Sequence, residues 1–299
     1  MQDQNSSSTQ GGCTICPRGC HVDRSGGHRG VCRMPSDICV SRIAPHMWEE
    51  PPISGTRGSG TIFFSGCNLG CIYCQNRRIS RTERGTPITE EALAARMLDL
   101  AADGVHNINL VTPTHYSDAL ARVIRAIRPR LGIPVVWNSG GYESVETLRS
   151  LEGLVDIYLP DFKYASEELA AAYSGAPDYP LRAADALREM YRQTGPVVFD
   201  GDGLMVRGLL VRHLVLPGHR KESIKTLEVL ADLLPLGDIR VSIMRQYTPD
   251  FAMDTPYPNL HRRVTDFEYE SVLDAADRLG IVGYRQGKDA ADRAFTPDF

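Results

Sequence analysis

No cysteine follows position 74 in this chain of 299 residues; the eight thiols sit at 13, 16, 20, 32, 39, 67, 71 and 74. Eight so clustered are too few for a disulfide scaffold, and in a reducing compartment such groups read as metal ligands. Long Lys/Arg runs are missing too, and the net charge is −4. Phosphate backbones demand clustered basic charge, so nucleic acid is not the expected partner. No stretch approaches the roughly 20 apolar residues that span a bilayer, which excludes a helical membrane protein. The opening MQDQNSSSTQGG has neither the basic start nor the apolar core of a secretory leader. Residues 1–12 read as a disordered tail, and the expected location is cytoplasmic.

What is present divides the chain in two. Residues 13–50 are rich in Cys, Gly, Arg and Pro with little periodicity. So short and apolar-poor a segment needs a staple or a larger body to lie on; it reads as a Cys-rich metal-binding extension. From 51 to 299 short apolar runs alternate with helical patterns. Strands are expected over 61–66, 108–114, 133–141, 155–163, 208–218 and 239–249. Helices are expected over 89–104, 116–132, 143–151, 180–195, 222–237 and 265–280. Thr89 is a natural N-cap, with Glu90 and Glu91 in the first turn and Gly104 at the close. Leu120, Val123, Ile124 and Ile127 fall on one helical face. Such β-α alternation implies parallel strands joined by right-handed crossovers. Six units are too few for an eight-fold barrel, so the fold class is α/β, a partial (β/α)6 barrel with a short Cys-rich N-terminal extension.

In such folds the chemistry gathers at the C-terminal ends of the strands. Cys67 follows the first expected strand, Thr112 and Thr114 end the second, Asn138 and Ser139 the third, and Asp161 and Lys163 the fourth. The stretch SGCNLGCIYCQN sets Cys67, Cys71 and Cys74 at C-x3-C-x2-C spacing with no fourth cysteine nearby. Three thiolates can hold three corners of a [4Fe-4S] cube and leave one iron open, and open coordination positions mark reactive sites. The alternatives are a zinc knuckle, which normally wants four ligands, or three unrelated thiols. At the front, Cys13, Cys16, Cys20 and Cys32 are close enough for one four-ligand site, zinc or a second iron–sulfur cluster, which would supply the staple. The alternative is free thiols on a flexible arm. Cys39 is left over as a small buried hydrophobe.

Cys67, Cys71, Tyr73 and Cys74 resemble the C-x3-C-x-aromatic-C signature of the radical S-adenosylmethionine (SAM) superfamily. The wider chain resembles its pyruvate formate-lyase activating enzyme group, in the PflX-like branch, through CTICPRGC, EEPPISGTRGSGTIFF, NLVTPTH, WNSGGYES, DIYLPDFKY and VRHLVLPG. The resemblance implies a [4Fe-4S] cluster whose open iron chelates SAM, and reductive cleavage to methionine and a 5′-deoxyadenosyl radical that abstracts hydrogen. It further implies an electron donor such as flavodoxin or ferredoxin and a glycyl radical enzyme as protein substrate. By the same resemblance Tyr73 lies near the adenine, and Asn138 and Ser139 face SAM. Asp161 and Lys163 match a D-x-K that meets SAM or substrate, and Tyr247 lies near a ribose-contacting position. Thr112 and Thr114 stand where most relatives have a glycine-rich GGE-type turn for the methionine ammonium, a departure from that pattern. Arg212 resembles a residue that meets SAM's carboxylate; the alternative is an arginine paired inside the barrel. His115 is expected in the pocket wall, with no acid–base role for it or His213. Within the resemblance, modification of a small molecule or another peptide is the second enzymatic reading. A non-enzymatic redox or zinc module is the alternative class.

Overall fold

In the computed structural model, which describes residues 12–82 and 84–290, the apolar runs assemble into one sheet. Its strands are β1 (Cys39–His46), β2 (Ser59–Phe64), β3 (Thr86–Pro87), β4 (Ile108–Val111), β5 (Val135–Ser139), β6 (Ile157–Pro160), β7 (Val198–Phe199), β8 (Met205–Leu214), β9 (Arg240–Met244) and β10 (Gly283–Arg285). The order is β10-β9-β8-β6-β5-β4-β2-β1-β3, with β7 paired to β8. The six expected strands correspond to β2, β4, β5, β6, β8 and β9, and all pair in parallel. β10 joins β9 as a seventh parallel strand. The two ends of the order do not meet, so the barrel stays open.

β2, β4 and β6 are buried along their whole length, as expected when crossover helices cover a parallel sheet. Helix Ser117–Leu131 turns Leu120, Val123, Ile124 and Ile127 into the core, each contributing about 1.5–3 kcal/mol by burial. Helix Glu90–Ala102 starts at Thr89, whose side chain accepts the Ala92 N–H. The expected strands ran past the observed ends at 64, 111, 139, 160, 214 and 244. Each apolar run continues into the loop that carries the site. Helix Glu167–Ser174 and the edge strands were not expected; the short edge strands lack a clear alternating signal.

The expected extension over 13–50 divides. Its end, β1, lies antiparallel on β2 and belongs to the sheet. Residues 12–38 form neither helix nor strand and are fastened to the barrel by contacts that include Arg33 donating to the Arg81 carbonyl, the Ile15 carbonyl accepting from the Ser144 and Thr147 hydroxyls, and two further arginines. Arg24 donates to the carbonyls of Met34, His115 and Pro35 at 3.1, 2.6 and 2.5 Å and lies over the Tyr116 ring. Arg18 reaches the loop between Cys67 and Cys71. The tail expected over 1–12 lies outside the described residues except for Gly12. Among the described residues no helix is long and apolar enough to cross a membrane.

Candidate active site

At the C-terminal ends of the parallel strands lies a cavity of about 670 Å³. Cys67, Cys71 and Cys74 line it with Tyr73, Thr112, Asn138, Ser139, Asp161, Lys163, Arg212 and Tyr247. The chain turns from β2 into the cysteine loop at Gly66, whose φ is +81°. A Cβ there would sit 2.2 Å from Met34 Cγ and 2.6 Å from the Cys32 carbonyl, so only glycine lets the arm pack behind the loop.

None of the eight cysteines is in a disulfide. Burial pushes the Cys67 thiol up to about 12 and raises Cys74 as well. Such thiols become thiolates only beside a strong cation or metal. The sulfurs are already provided with donors: the Leu69 N–H lies 3.3 Å from Cys67 Sγ, the Ser174 hydroxyl 3.0 Å from Cys71 Sγ and the Ser80 hydroxyl 3.5 Å from Cys74 Sγ. Hydrogen bonds to ligand sulfurs are a standard lever on iron–sulfur clusters. Among the described residues no three His, Cys, Asp or Glu side chains form a group that could hold a single metal ion. The three thiols line one cavity, each with a donor beside its sulfur, a donor set that fits a [4Fe-4S] cluster with one iron left open.

The Ser174 proton on Cys71 fixes a chain of donors. Ser174 Oγ then accepts from the Tyr164 hydroxyl at 2.9 Å, which accepts from the Tyr73 hydroxyl at 2.7 Å. Tyr73 is thus held by its ring hydroxyl at the wall, 6.3 Å between ring centres from Tyr247.

Thr112 has φ +59°, a left-handed conformation costly for a β-branched residue. The backbone makes the glycine-type turn the resemblance led one to look for, with a threonine held in it by its N–H on the Asn138 carbonyl at 2.8 Å. Thr114, expected beside the cofactor, faces elsewhere: it is buried and donates to Glu143 at 2.7 Å, outside the cavity lining. The short 3-10 turn Thr114–Tyr116 rotates it into the core. Ser139 accepts the Gly141 N–H at 3.2 Å. Gly141 (φ +76°) passes so near the Asp161 carbonyl that a Cβ would meet it at 2.1 Å. Tyr179 ties these loops: its hydroxyl accepts the Lys163 N–H at 3.0 Å and lies 3.0 and 2.9 Å from the carbonyls of Gly140 and Asp161.

Lys163 Nζ contacts Asp161 Oδ2 at 2.5 Å. Burial works against its charge, but Asp161 and then the Cys71 sulfur more than offset this and hold the proton well above the ordinary lysine range. The cavity thus has a lysine–aspartate ion pair beside its thiols. Arg212 takes the other of its two sequence readings. Its guanidinium is paired to Glu49 and, at 2.5 Å, to Glu50, with Nε on Glu50 at 2.8 Å and an outlying contact to Asn138 at 3.4 Å. It lines the cavity, but its donors are engaged by two carboxylates that residue-by-residue reading of the sequence did not single out. Their signal was the Glu-Glu-Pro-Pro run ahead of β2.

His115 and His213 are buried and lie outside the cavity lining, His115 against expectation. His115 Nε2 lies 2.7 Å from the Ser65 carbonyl, and its Nδ1 has no partner among the described residues. Burial drives its pKa from 6.5 to about 3. The unfolded chain binds this proton below about pH 6.5 and the folded protein only near 3, so stability is lost as pH falls through that window. Replacing His115 by glutamine should flatten the pH dependence of the apoprotein's melting temperature between pH 6.5 and 5. An unchanged slope would remove His115 from that account.

Burial also pushes Cys16 up to about 12, with further contributions from Glu143, Cys13 and Cys32, and raises Cys32 with contributions from Cys13 and Cys20. The four front cysteines therefore share one neighbourhood. Cys39 is buried, as expected of a small hydrophobe.

With the barrel, the three-thiol loop and the strand-end cavity in place, the chain carries a radical SAM superfamily domain: residues 61–205 match the family described as "Radical SAM superfamily". A domain of this family implies a [4Fe-4S] cluster and SAM. The chain is 29% identical over 279 residues to an uncharacterized protein of Methanocaldococcus jannaschii, covering 90% of this chain and 75% of that protein. Among solved structures it resembles a radical SAM methyltransferase from Sphaerobacter thermophilus, with TM-score 0.52 and 16% identity over 76% of this chain and 65% of that one. It also resembles Streptococcus suis SuiB bound to the precursor peptide SuiA, with TM-score 0.50 and 14% identity over 75% of this chain and 47% of that one. The chain spans less than two thirds of the length of either solved structure, and at these identities the likeness concerns the fold.

Proposed function

We propose that the protein binds SAM in the strand-end cavity and directs hydrogen abstraction from a glycyl position of a partner protein, as a glycyl-radical-enzyme activase of the pyruvate formate-lyase type. The observation that carries this is the one cavity lined by Cys67, Cys71, Cys74 and the Asp161–Lys163 pair together. A [4Fe-4S] cluster held by the three cysteines would supply one electron and an open iron for SAM. The rest falls to the chain's own groups. Lys163 offers a fixed positive charge. The turn at Thr112 presents backbone carbonyls to an ammonium, and Asn138 and Ser139 add polar atoms on the next strand. Tyr73 supplies an aromatic wall. Flavodoxin or ferredoxin is the proposed electron donor, and the four front cysteines are proposed to hold zinc or a second iron–sulfur cluster. The turn at Thr112, where a threonine replaces the expected glycine, favours a second reading: a differently shaped pocket for a small molecule or another peptide.

The test is anaerobic reconstitution with metal analysis, followed by reduction with and without SAM. The expected result is 5′-deoxyadenosine, cluster spectra that respond to SAM, and more metal than one cluster accounts for. An intact cluster indifferent to SAM would favour a redox module. Lys163→Ala should weaken SAM binding or turnover by about tenfold, by analogy with other groups that support a metal centre from its second shell. Rates of 5′-deoxyadenosine formation across SAM concentrations would read it, and unchanged kinetics would make Lys163 a plain wall ion pair.

A further inference from the structure

Arg18 stands inside the front cysteine motif, in the turn Cys16-Pro17-Arg18-Gly19-Cys20. Gly19, at φ +46°, closes that turn with its N–H on the Cys16 carbonyl at 3.0 Å. The side chain leaves the arm altogether. Nε donates to the Asn68 carbonyl at 2.7 Å and Nη2 to that of Leu69 at 3.3 Å; both residues lie between Cys67 and Cys71. The same guanidinium donates to the Ser174 carbonyl at 2.9 Å and to that of Gly175. Ser174 is the residue whose hydroxyl reaches Cys71 Sγ at 3.0 Å. The Tyr142 ring lies under the guanidinium, 5.3 Å from its carbon, and Asn68 returns a bond from its side-chain amide to the Tyr142 carbonyl at 2.7 Å.

One planar cation therefore joins three pieces: the arm that carries four cysteines, the loop that carries two of the three cavity cysteines, and the end of helix Glu167–Ser174 that donates to a cavity sulfur. We propose that Arg18 is a positioning residue that latches the cysteine loop against Ser174, so that the state of the N-terminal arm is transmitted to the cluster. The proposal rests on the reading of Cys67, Cys71 and Cys74 as cluster ligands. Arginine suits the task because its fork spans several carbonyls at once and keeps its charge at every working pH. Lysine could keep the charge but not the fork. Two consequences follow. Without the latch the loop opens more often and iron escapes sooner. The Ser174 donor also leaves Cys71, and because donors to sulfur favour the more negative, reduced cluster, the potential falls.

The experiment compares reconstituted wild type, Arg18→Gln, Arg18→Lys and, as a surface control, Arg188→Gln. Two quantities are read: the rate at which a ferrous chelator strips iron, and the cluster midpoint in a titration followed by electron paramagnetic resonance. Arg18→Gln is expected to release iron about tenfold faster, in line with losses of outer-shell support at metal centres, and to have a more negative midpoint. Arg18→Lys should fall between it and wild type, and Arg188→Gln should match wild type. If Arg18→Gln does not fold, Arg18→Lys and Ser174→Ala carry the test; Ser174→Ala must then reproduce the negative shift. Equal release rates and midpoints in wild type and the Arg18 variants overturn the latch while leaving the cluster reading intact. A wild-type protein that takes up no cluster overturns both.

Discussion

Cys71→Ala is expected to reduce 5′-deoxyadenosine formation to background while the barrel remains folded. Cys71 is buried where the cysteine loop meets helix Glu167–Ser174, and its sulfur ends the donor chain from Tyr73 through Tyr164 and Ser174. Removing it leaves two protein thiols for a group that needs three. The structural cost is modest: a small side chain is shortened, and Ser174 keeps Tyr164 as a partner. A net loss of about 1 kcal/mol is reasonable for one such hydrogen bond, against the roughly 5–15 kcal/mol of a typical domain. Circular dichroism should stay native-like, with iron content and SAM cleavage lost together. Full activity in a folded Cys71→Ala protein would show that the loop does not hold the reacting centre.

The site was legible in the sequence where chemistry dictates residue type and spacing. The 67, 71, 74 thiols, the Asp161–Lys163 pair and the polar end of β5 all face the cavity, because strand ends in a parallel barrel must converge. Thr112 was legible in position but not in conformation: nothing in Val-Thr-Pro says that the threonine takes a positive φ. Thr114 and His115 were misplaced because a single 3-10 turn begins there and rotates both into the core, and no periodic pattern announces a turn so short. Glu49, Glu50, Tyr164, Ser174 and Tyr179 escaped for another reason. They act through partners distant in sequence: Tyr179 ties the loops after β5 and β6, and Arg212 reaches back more than 160 positions to Glu49 and Glu50. One chain without its tertiary neighbours holds no signal for such pairings. The same limit explains β1, which read as extension because its partner strand follows a turn and a short helix.

Arg212→Met should be the most destabilising single change at the site. The arginine stands between two carboxylates, all three side chains at most 13% exposed. Burial pushes the Glu50 carboxyl up, yet Arg212 more than offsets it and holds Glu50 below the usual range. Take the guanidinium away and two acids face each other out of water. Breaking a buried pair from one side costs about 3–5 kcal/mol, which for a chain of this size is a fall in melting temperature of roughly 10 °C. Glu50→Gln should cost much less, because Arg212 then still balances Glu49. Arg212→Met combined with Glu50→Gln should recover part of the loss, the coupling expected of groups in one charge network. The three melting temperatures separate the two roles the sequence left open. If Arg212 instead served SAM's carboxylate, Arg212→Met would melt with the wild type and bind SAM poorly. A loss of stability in the SAM-free protein, relieved by Glu50→Gln, assigns the arginine to the wall that keeps the cavity's strand ends together.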